Sequence, residues 1–291
     1  MKLDILHIDE RIPQSVANTV ISEVSKSLSS IVTTEDKFVI NDTKWLWLTP
    51  KNTLKPSVVN SAKYITESLK DYLKDNNWEP EKTLNGQRID GYREIEIGID
   101  SYQIEEDDYI ELLKALKESG NSNYGNIATM IYKSYVTSSK PYLMPDLKSF
   151  ESLFKKRNVT GNYCIGLEFE TGNIASSFRA LQKLDSLYDL NLIQAGVFIT
   201  SIDKQRCATR IWPSSNRNGS FEELRNRNYT ENRRYPSIDI AFQPDAFSST
   251  APYLAENGDT YQMENETLVT IDSNEYIKAI GFDGVEKYRL P

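Results

Sequence analysis

The chain has 291 residues, 39% of them hydrophobic and 26% charged, and no apolar run approaches the roughly 20 residues of a membrane span. That balance fits a water-soluble domain with room for a sizeable core and excludes a disordered or helically membrane-spanning chain. Two cysteines and one histidine exclude a disulfide framework and a multi-His metal centre, and a net charge of −8 argues, taken alone, against a nucleic-acid partner.

The opening MKLDILHIDER has no long apolar core, so a signal peptide is not expected. The first third is expected to be mainly helical. Trp45-Leu46-Trp47-Leu48 is a short apolar run suited to a core. Beyond Pro56-Ser57, residues Val58, Ala62, Ile65, Leu69 and Leu73 recur at helical spacing, which predicts an amphipathic helix over 57–74 decorated by Lys63, Lys70 and Lys74. Residues 88–99 alternate with period two: Ile89, Gly91, Ile95, Ile97 and Ile99 share one face, Asp90, Tyr92, Glu94 and Glu96 the other, as in a strand. Two helices are expected over 105–118 and 124–135, separated around Gly120. Another follows Pro145-Asp146, carrying Leu147, Phe150, Leu153 and Phe154, with Asp146 as its N-cap.

Residues 163–170 alternate again, with Ile165, Leu167 and Phe169 opposite Gly166, Glu168 and Glu170. Thr171-Gly172-Asn173 ends that strand. A helix over 174–190 carries Phe178, Leu181, Leu184 and Leu187 on one stripe, and Arg179 and Lys183 four residues apart on another face. Strands are expected at 195–200 and 237–242. The last 40 residues read as short strands and turns, Asn257-Gly258-Asp259 among them. This order predicts an α/β fold, a mixed sheet with helices packed on it.

The charge is unevenly spread. Lys204, Arg206, Arg210, Arg217, Arg225, Arg227, Arg233 and Arg234 face only Glu222, Glu223 and Glu231 in the same stretch, a local balance of +5. Such a cluster is either a solvated face or a polyanion surface.

Glu168 and Glu170 are the sharpest chemical feature. Two residues apart on a strand, they point the same way, about 7 Å apart. Their repulsion is relieved by solvent, or by a hard divalent cation such as Mg²⁺ placed between them. Spacing alone leaves both readings open.

The run IGLEFETGNIASSFRALQKL at 165–184 resembles the active-site segment of the BamHI/BglII branch of type II restriction endonucleases. The likeness extends to FVINDT at 38–43, the helix at 57–74, the strand AGVFIT, the pair Asn216-Arg217, the run Phe221–Leu224 and SIDIAFQPDAF. It covers most of the chain, with an apparent insertion over about 95–150. The resemblance implies a restriction-endonuclease-like mixed β-sheet flanked by helices on both sides, forming one nuclease domain over 1–291 with a helical insertion at about 95–150 and a C-terminal extension from about 251. It implies hydrolysis of double-stranded DNA at a short palindrome by a cytoplasmic, prokaryotic homodimer that uses Mg²⁺ and leaves 5′-phosphate ends. Glu168 would be a metal ligand shared with an Asp from a neighbouring strand. Glu170, standing where the wider superfamily has Lys, would orient or deprotonate the attacking water.

Two aspartates compete for the partner position. Asp90, in RIDGYRE on a good strand, matches the family's Pro-Ile-Asp segment and is favoured; Asp146, in MPDL, carries a Pro-Asp signature but precedes helical spacing. The resemblance assigns DNA contacts to Asn173, Arg179, Lys183, Asn216 and Arg217. Arg217 is expected on a base edge and Lys183 on phosphate or solvent. The chain departs from the family pattern at Ala175, where a serine is usual, and at Asn216, where an aspartate is usual. A repair or nicking nuclease and a non-catalytic DNA-binding module are the alternatives on the same fold.

Overall fold

The computed structural model describes residues 1–120, 122–137, 145–171, 174–202, 221–230 and 233–291. The chain divides into two compact units. One comprises Met1–Arg93 with Cys164–Pro291, the other Glu94–Tyr163.

The first unit is built on a mixed sheet. Its strands are β1 (Lys2–Ile8), β4 (Glu79–Pro80), β5 (Gly91–Ile104), β6 (Phe154–Glu170), β7 (Ala195–Ser201) and β8 (Ser237–Gln243), in the order β1-β8-β7-β6-β5-β4. β6, β7 and β8 run parallel, while β1 pairs antiparallel with β8 and β4 antiparallel with β5. β7 is buried along its whole length, as expected of a parallel strand covered on both faces. β5 and β6 each extend from this unit into the other.

Helices cover both faces of this sheet. Helix α5 (Ile174–Asp189) closes the β6-α5-β7 unit. Gly166 and Gly196, register partners on β6 and β7, make the shallow place on which it rests. A Cβ at either glycine would fall 3.1 Å from a methyl of Leu184. The opposite face, which carries Leu167, receives Leu73 of α2 (Lys63–Asp75) beside Gly91. α2 buries Ile65, Leu69 and Leu73, and α1 (Gln14–Ser29) buries Val16, Val20, Val24 and Leu28, each at the spacing of one helical stripe.

A second, five-stranded sheet joins β9 (Glu264–Ile271), β10 (Asn274–Ile280) and β11 (Glu286–Arg289) to β2 (Leu46–Leu48) and β3 (Leu54–Pro56). Trp45, Val59, Tyr253 and Ala279 form a cluster there, with Trp45 Nε1 donating to the Tyr253 hydroxyl at 2.7 Å. The other unit has its own core of Ile104, Leu112, Leu116, Ile131, Tyr135, Leu147 and Phe154. These residues come from β5, β6, helix α3 (Glu106–Glu118), helix α4 (Tyr124–Ile131) and the turns that follow α4.

Several expectations are corrected. The first third holds two helices, α1 and α2, but also β1, β2, β3 and four two-residue strands, so it is not mainly helical. The strand expected from Arg88 starts at Gly91. Asn85 and Gly86, both at positive φ, turn a tight hairpin that pairs Thr83 with Arg88. The helix expected after Pro145 is a 3₁₀ segment, Pro145–Leu153, that gives way to β6 at Phe154. An i, i+3 apolar spacing serves a 3₁₀ turn as well as an α-helix. The 124–135 helix is α-helical to Ile131 and continues as a π turn, Tyr132–Val136. On α5 the buried stripe is Leu181, Leu184 and Leu187; Phe178 stays exposed against Tyr229.

Candidate active site

The site is assembled where the hairpin, β6 and α5 meet within the first unit. The Asn85-Gly86 hairpin is sewn to its surroundings by Ile89 N–H to the Lys82 carbonyl at 2.9 Å and by Gln87 Nε2 to Ser186 Oγ at 3.0 Å. It delivers Asp90 to the entrance of β5, where its N–H bonds the Leu167 carbonyl at 3.1 Å. The Asp90 carboxylate then accepts from the Phe169 N–H at 2.8 Å. Asp90 is thus fixed against the peptide that follows Glu168.

Glu168 is buried on the α5 face of β6. Lys183, from α5, donates to its Oε1 at 2.7 Å and its Oε2 at 2.9 Å, and to the Arg88 carbonyl at 2.7 Å. Burial, reinforced by the neighbouring Asp90 and Glu170 charges, pushes the Glu168 carboxyl up to about 8 despite Lys183. Burial also raises Asp90, against the pull of the Phe169 N–H and of the Lys183 and Lys70 charges. The carboxylates here are crowded and part-dry, and their hard oxygens suit a hard divalent cation. Glu170 ends β6 beside Thr200, with intermediate exposure. Of the two readings that spacing left open, the solvated surface acid does not hold for Glu168: α5 and the parallel sheet bury it.

A charged rim surrounds Asp90. Lys70 of α2 bonds Glu81 at 2.6 Å and Glu67 at 3.3 Å, Arg88 pairs with Glu81, and the Glu81 N–H donates to the Asp90 carbonyl at 3.1 Å. Sequence reasoning passed over Glu81 and Arg88, although the Asn-Gly turn between them was a usable signal.

Arg179 is exposed on α5, with Nη2 3.3 Å from Ser176 Oγ. Lys183 lies one turn on and is engaged with Glu168, not on the open helix face where it was expected. Asn173, Asn216 and Arg217 lie outside the described residues. Asp146 belongs to the other unit, in the 3₁₀ segment. Of the arginine-rich stretch, three of the described arginines are engaged with carboxylates. Arg227 pairs with Glu223, Arg234 with Asp189, and Arg233 is buried on Asp239 at 2.5 Å.

The family model for restriction endonuclease BamHI matches residues 1–242. The chain belongs to the BamHI restriction endonuclease family. The family's activity makes it a nuclease that acts on DNA, and the mixed sheet with helices on both faces agrees with a restriction-endonuclease-like fold. The match spans both units and stops within β8, before the strands β9–β11. No curated protein matches the chain significantly. No described helix is long and apolar enough to cross a membrane.

Proposed function

We propose that this family member is a homodimeric, Mg²⁺-dependent type II restriction endonuclease that cuts both strands of DNA at a short palindrome. The observation that carries the reading is the Asp90 carboxylate held on the Phe169 N–H, beside the buried Glu168 carboxylate. Among the described residues no three His, Cys, Asp or Glu side chains converge as a metal cage. Two carboxylates suffice for Mg²⁺, which completes its shell with water and substrate phosphate. Asp90 and Glu168 would hold the ion, and Asp90 takes the ligand position in preference to Asp146. The bound ion would stabilise charge on the scissile phosphate and acidify the attacking water. Glu170 orients that water and accepts its proton. The water oxygen bonds phosphorus as the 3′ oxygen departs, leaving 5′-phosphate and 3′-hydroxyl ends, and no histidine is needed.

Two copies are proposed because a palindrome is matched by a two-fold protein with one site per strand. Asn173, Arg179, Asn216 and Arg217 are assigned to base edges; an Arg there discriminates by roughly 1–3 kcal/mol per base pair. The test is digestion of phage DNA with purified protein and Mg²⁺, followed by sequencing of the fragment ends. Discrete ends that share one palindrome on both strands support the reading. Single-strand nicks would make it a nicking enzyme, and tight binding without cleavage would make it a binding module.

A further inference from the structure

The position of Lys183 carries an inference beyond a contact to DNA phosphate. An ammonium has three N–H donors. Lys183 spends them on Glu168 Oε1, Glu168 Oε2 and the Arg88 carbonyl, at 2.7, 2.9 and 2.7 Å. Each oxygen of the buried carboxylate therefore accepts one bond from the same side chain. A cation on Glu168 would have to share an oxygen with the ammonium, like charge beside like charge, unless one N–H lets go. The third bond is independent of Glu168, because the Arg88 carbonyl belongs to the hairpin and the Arg88 side chain is engaged on Glu81. The base of Lys183 is also fixed, since its neighbours Leu181 and Leu184 are buried under α5.

We propose that Lys183 is the internal counter-ion of the nuclease site: it holds Glu168 before the cation arrives, gives up one carboxylate oxygen to it, and stays tethered at Arg88 with a released N–H inside the site. This inference rests on the reading of Glu168 as a metal ligand. A lysine in this role opposes cation binding and assists catalysis. Its positive charge repels the incoming cation and competes for the same oxygen. Once one donor is released, the ammonium sits where negative charge accumulates on the phosphate. A simple brace between α5 and the hairpin predicts something else, because its removal weakens cation binding and catalysis together.

The experiment titrates the full-length, DNA-free protein with Mn²⁺ by calorimetry, and separately measures cleavage at saturating Mg²⁺. In Lys183→Met, Mn²⁺ is expected to bind roughly tenfold tighter, while kcat falls by at least about tenfold with little change in KM for DNA. Lys183→Arg, which keeps the charge, is expected to bind Mn²⁺ within about threefold of the parent. Lys183→Gln serves if the Met variant does not fold, and failure of both to fold would make Lys183 a brace and overturn the proposal. Unchanged or weaker Mn²⁺ binding in Lys183→Met also overturns it, provided that Glu168→Gln abolishes the binding. If Glu168→Gln binds Mn²⁺ like the parent, the metal reading of the site fails instead. A rise in KM at unchanged kcat would return Lys183 to a phosphate clamp.

Discussion

Two buried carboxylates occupy one row across the same face of the central sheet, and they are treated differently. Glu168 on β6 and Asp239 on β8 are both register partners of Phe198 on β7. Each is 3% exposed at its side chain and each is met by a cation: Glu168 by Lys183, Asp239 by Arg233. Arg233 is 6% exposed, whereas Lys183 is 28% exposed. The Asp239 pair is a direct ion pair sealed under the fold, with the Asp9 and Asp185 charges nearby and a guanidinium that never deprotonates. At Glu168 the Asp90 and Glu170 charges add to its own, the Lys183 ammonium that it bonds still reaches solvent, and Glu168 is pushed up to about 8. A sealed pair holds a structure together. An open site with crowded carboxylates suits a cation from outside.

The largest expected effect breaks the open site alone. Glu168→Ala and Asp90→Asn should each lower cleavage by more than roughly a thousandfold, because each removes a proposed ligand from a site that depends on cation-activated water. DNA binding measured in Ca²⁺ should persist. Asp146→Asn should leave cleavage within a fewfold of the parent, and loss of activity there would exchange the roles of the two aspartates. At the sealed pair the effect should fall on stability. Arg233→Met leaves Asp239 buried without its cation and should cost about 3–5 kcal/mol in denaturant unfolding. Adding Asp239→Leu should recover most of that loss, since an apolar pair of similar volume replaces both charges. Among the described residues Arg233 Nε and Nη2 have no hydrogen-bond partner, so the parent pair is not fully satisfied to begin with. Failure of the double variant to recover would mean that the pair positions something beyond itself.

A smaller effect reads Glu168 by pH. Glu168 is raised to about 8 in the folded chain, so between the ordinary carboxylate range and pH 8 the folded state keeps a proton that the unfolded state has released. Stability should therefore fall as pH rises through that window, and the Glu168 share of this fall is absent below it. Glu168→Gln should flatten this slope by an amount on the order of 1–3 kcal/mol between pH 5 and pH 8.5. Mg²⁺ at pH 8.5 should restore stability to the parent and not to the variant. An unchanged slope in Glu168→Gln would show that the crowding of charge at this site is not what the arrangement implies.

Local pattern made much of this site readable. The alternation at 163–170 and the helical spacing after Gly172 place Glu168 on β6 and Lys183 on α5 from sequence alone. What the pattern could not supply was the face. Lys183 looks solvated by spacing, yet the paired glycines Gly166 and Gly196 seat α5 against the face that carries Glu168. That pairing joins residues 30 apart and leaves no periodic trace. Asp90 is a similar case, because its carboxylate is aimed by an Asn-Gly hairpin upstream of the strand and not by strand alternation. β1 escaped detection because an edge strand exposed on both faces lacks the alternation that marks a half-buried one. The short-range 3₁₀ segment before Phe154 was misread because its spacing fits two kinds of helix.

The smallest expected effect tests whether pairing state, rather than position, decides what a cation does. Lys63, Lys70 and Lys74 decorate the same helix and look equivalent in sequence as phosphate contacts. Lys70 is already engaged, at 2.6 Å to Glu81 and 3.3 Å to Glu67. Glu81 is held down to about 2, first by Arg88 and then by Lys70. Removing Lys70 leaves Arg88 on Glu81, so Lys70→Met should shift the melting temperature by a few degrees at most, and less in high salt. The Lys70 charge also helps to keep Asp90 ionised, so cleavage should drop by roughly two- to fivefold. A lysine bound to two carboxylates releases no counterion from DNA, so the salt dependence of DNA binding in Ca²⁺ should keep its slope in Lys70→Met. Had Lys70 been a phosphate contact, the slope would fall by about one. Finding that fall would place Lys70 with the cations recruited by DNA and show that its ion pairs open when the substrate arrives.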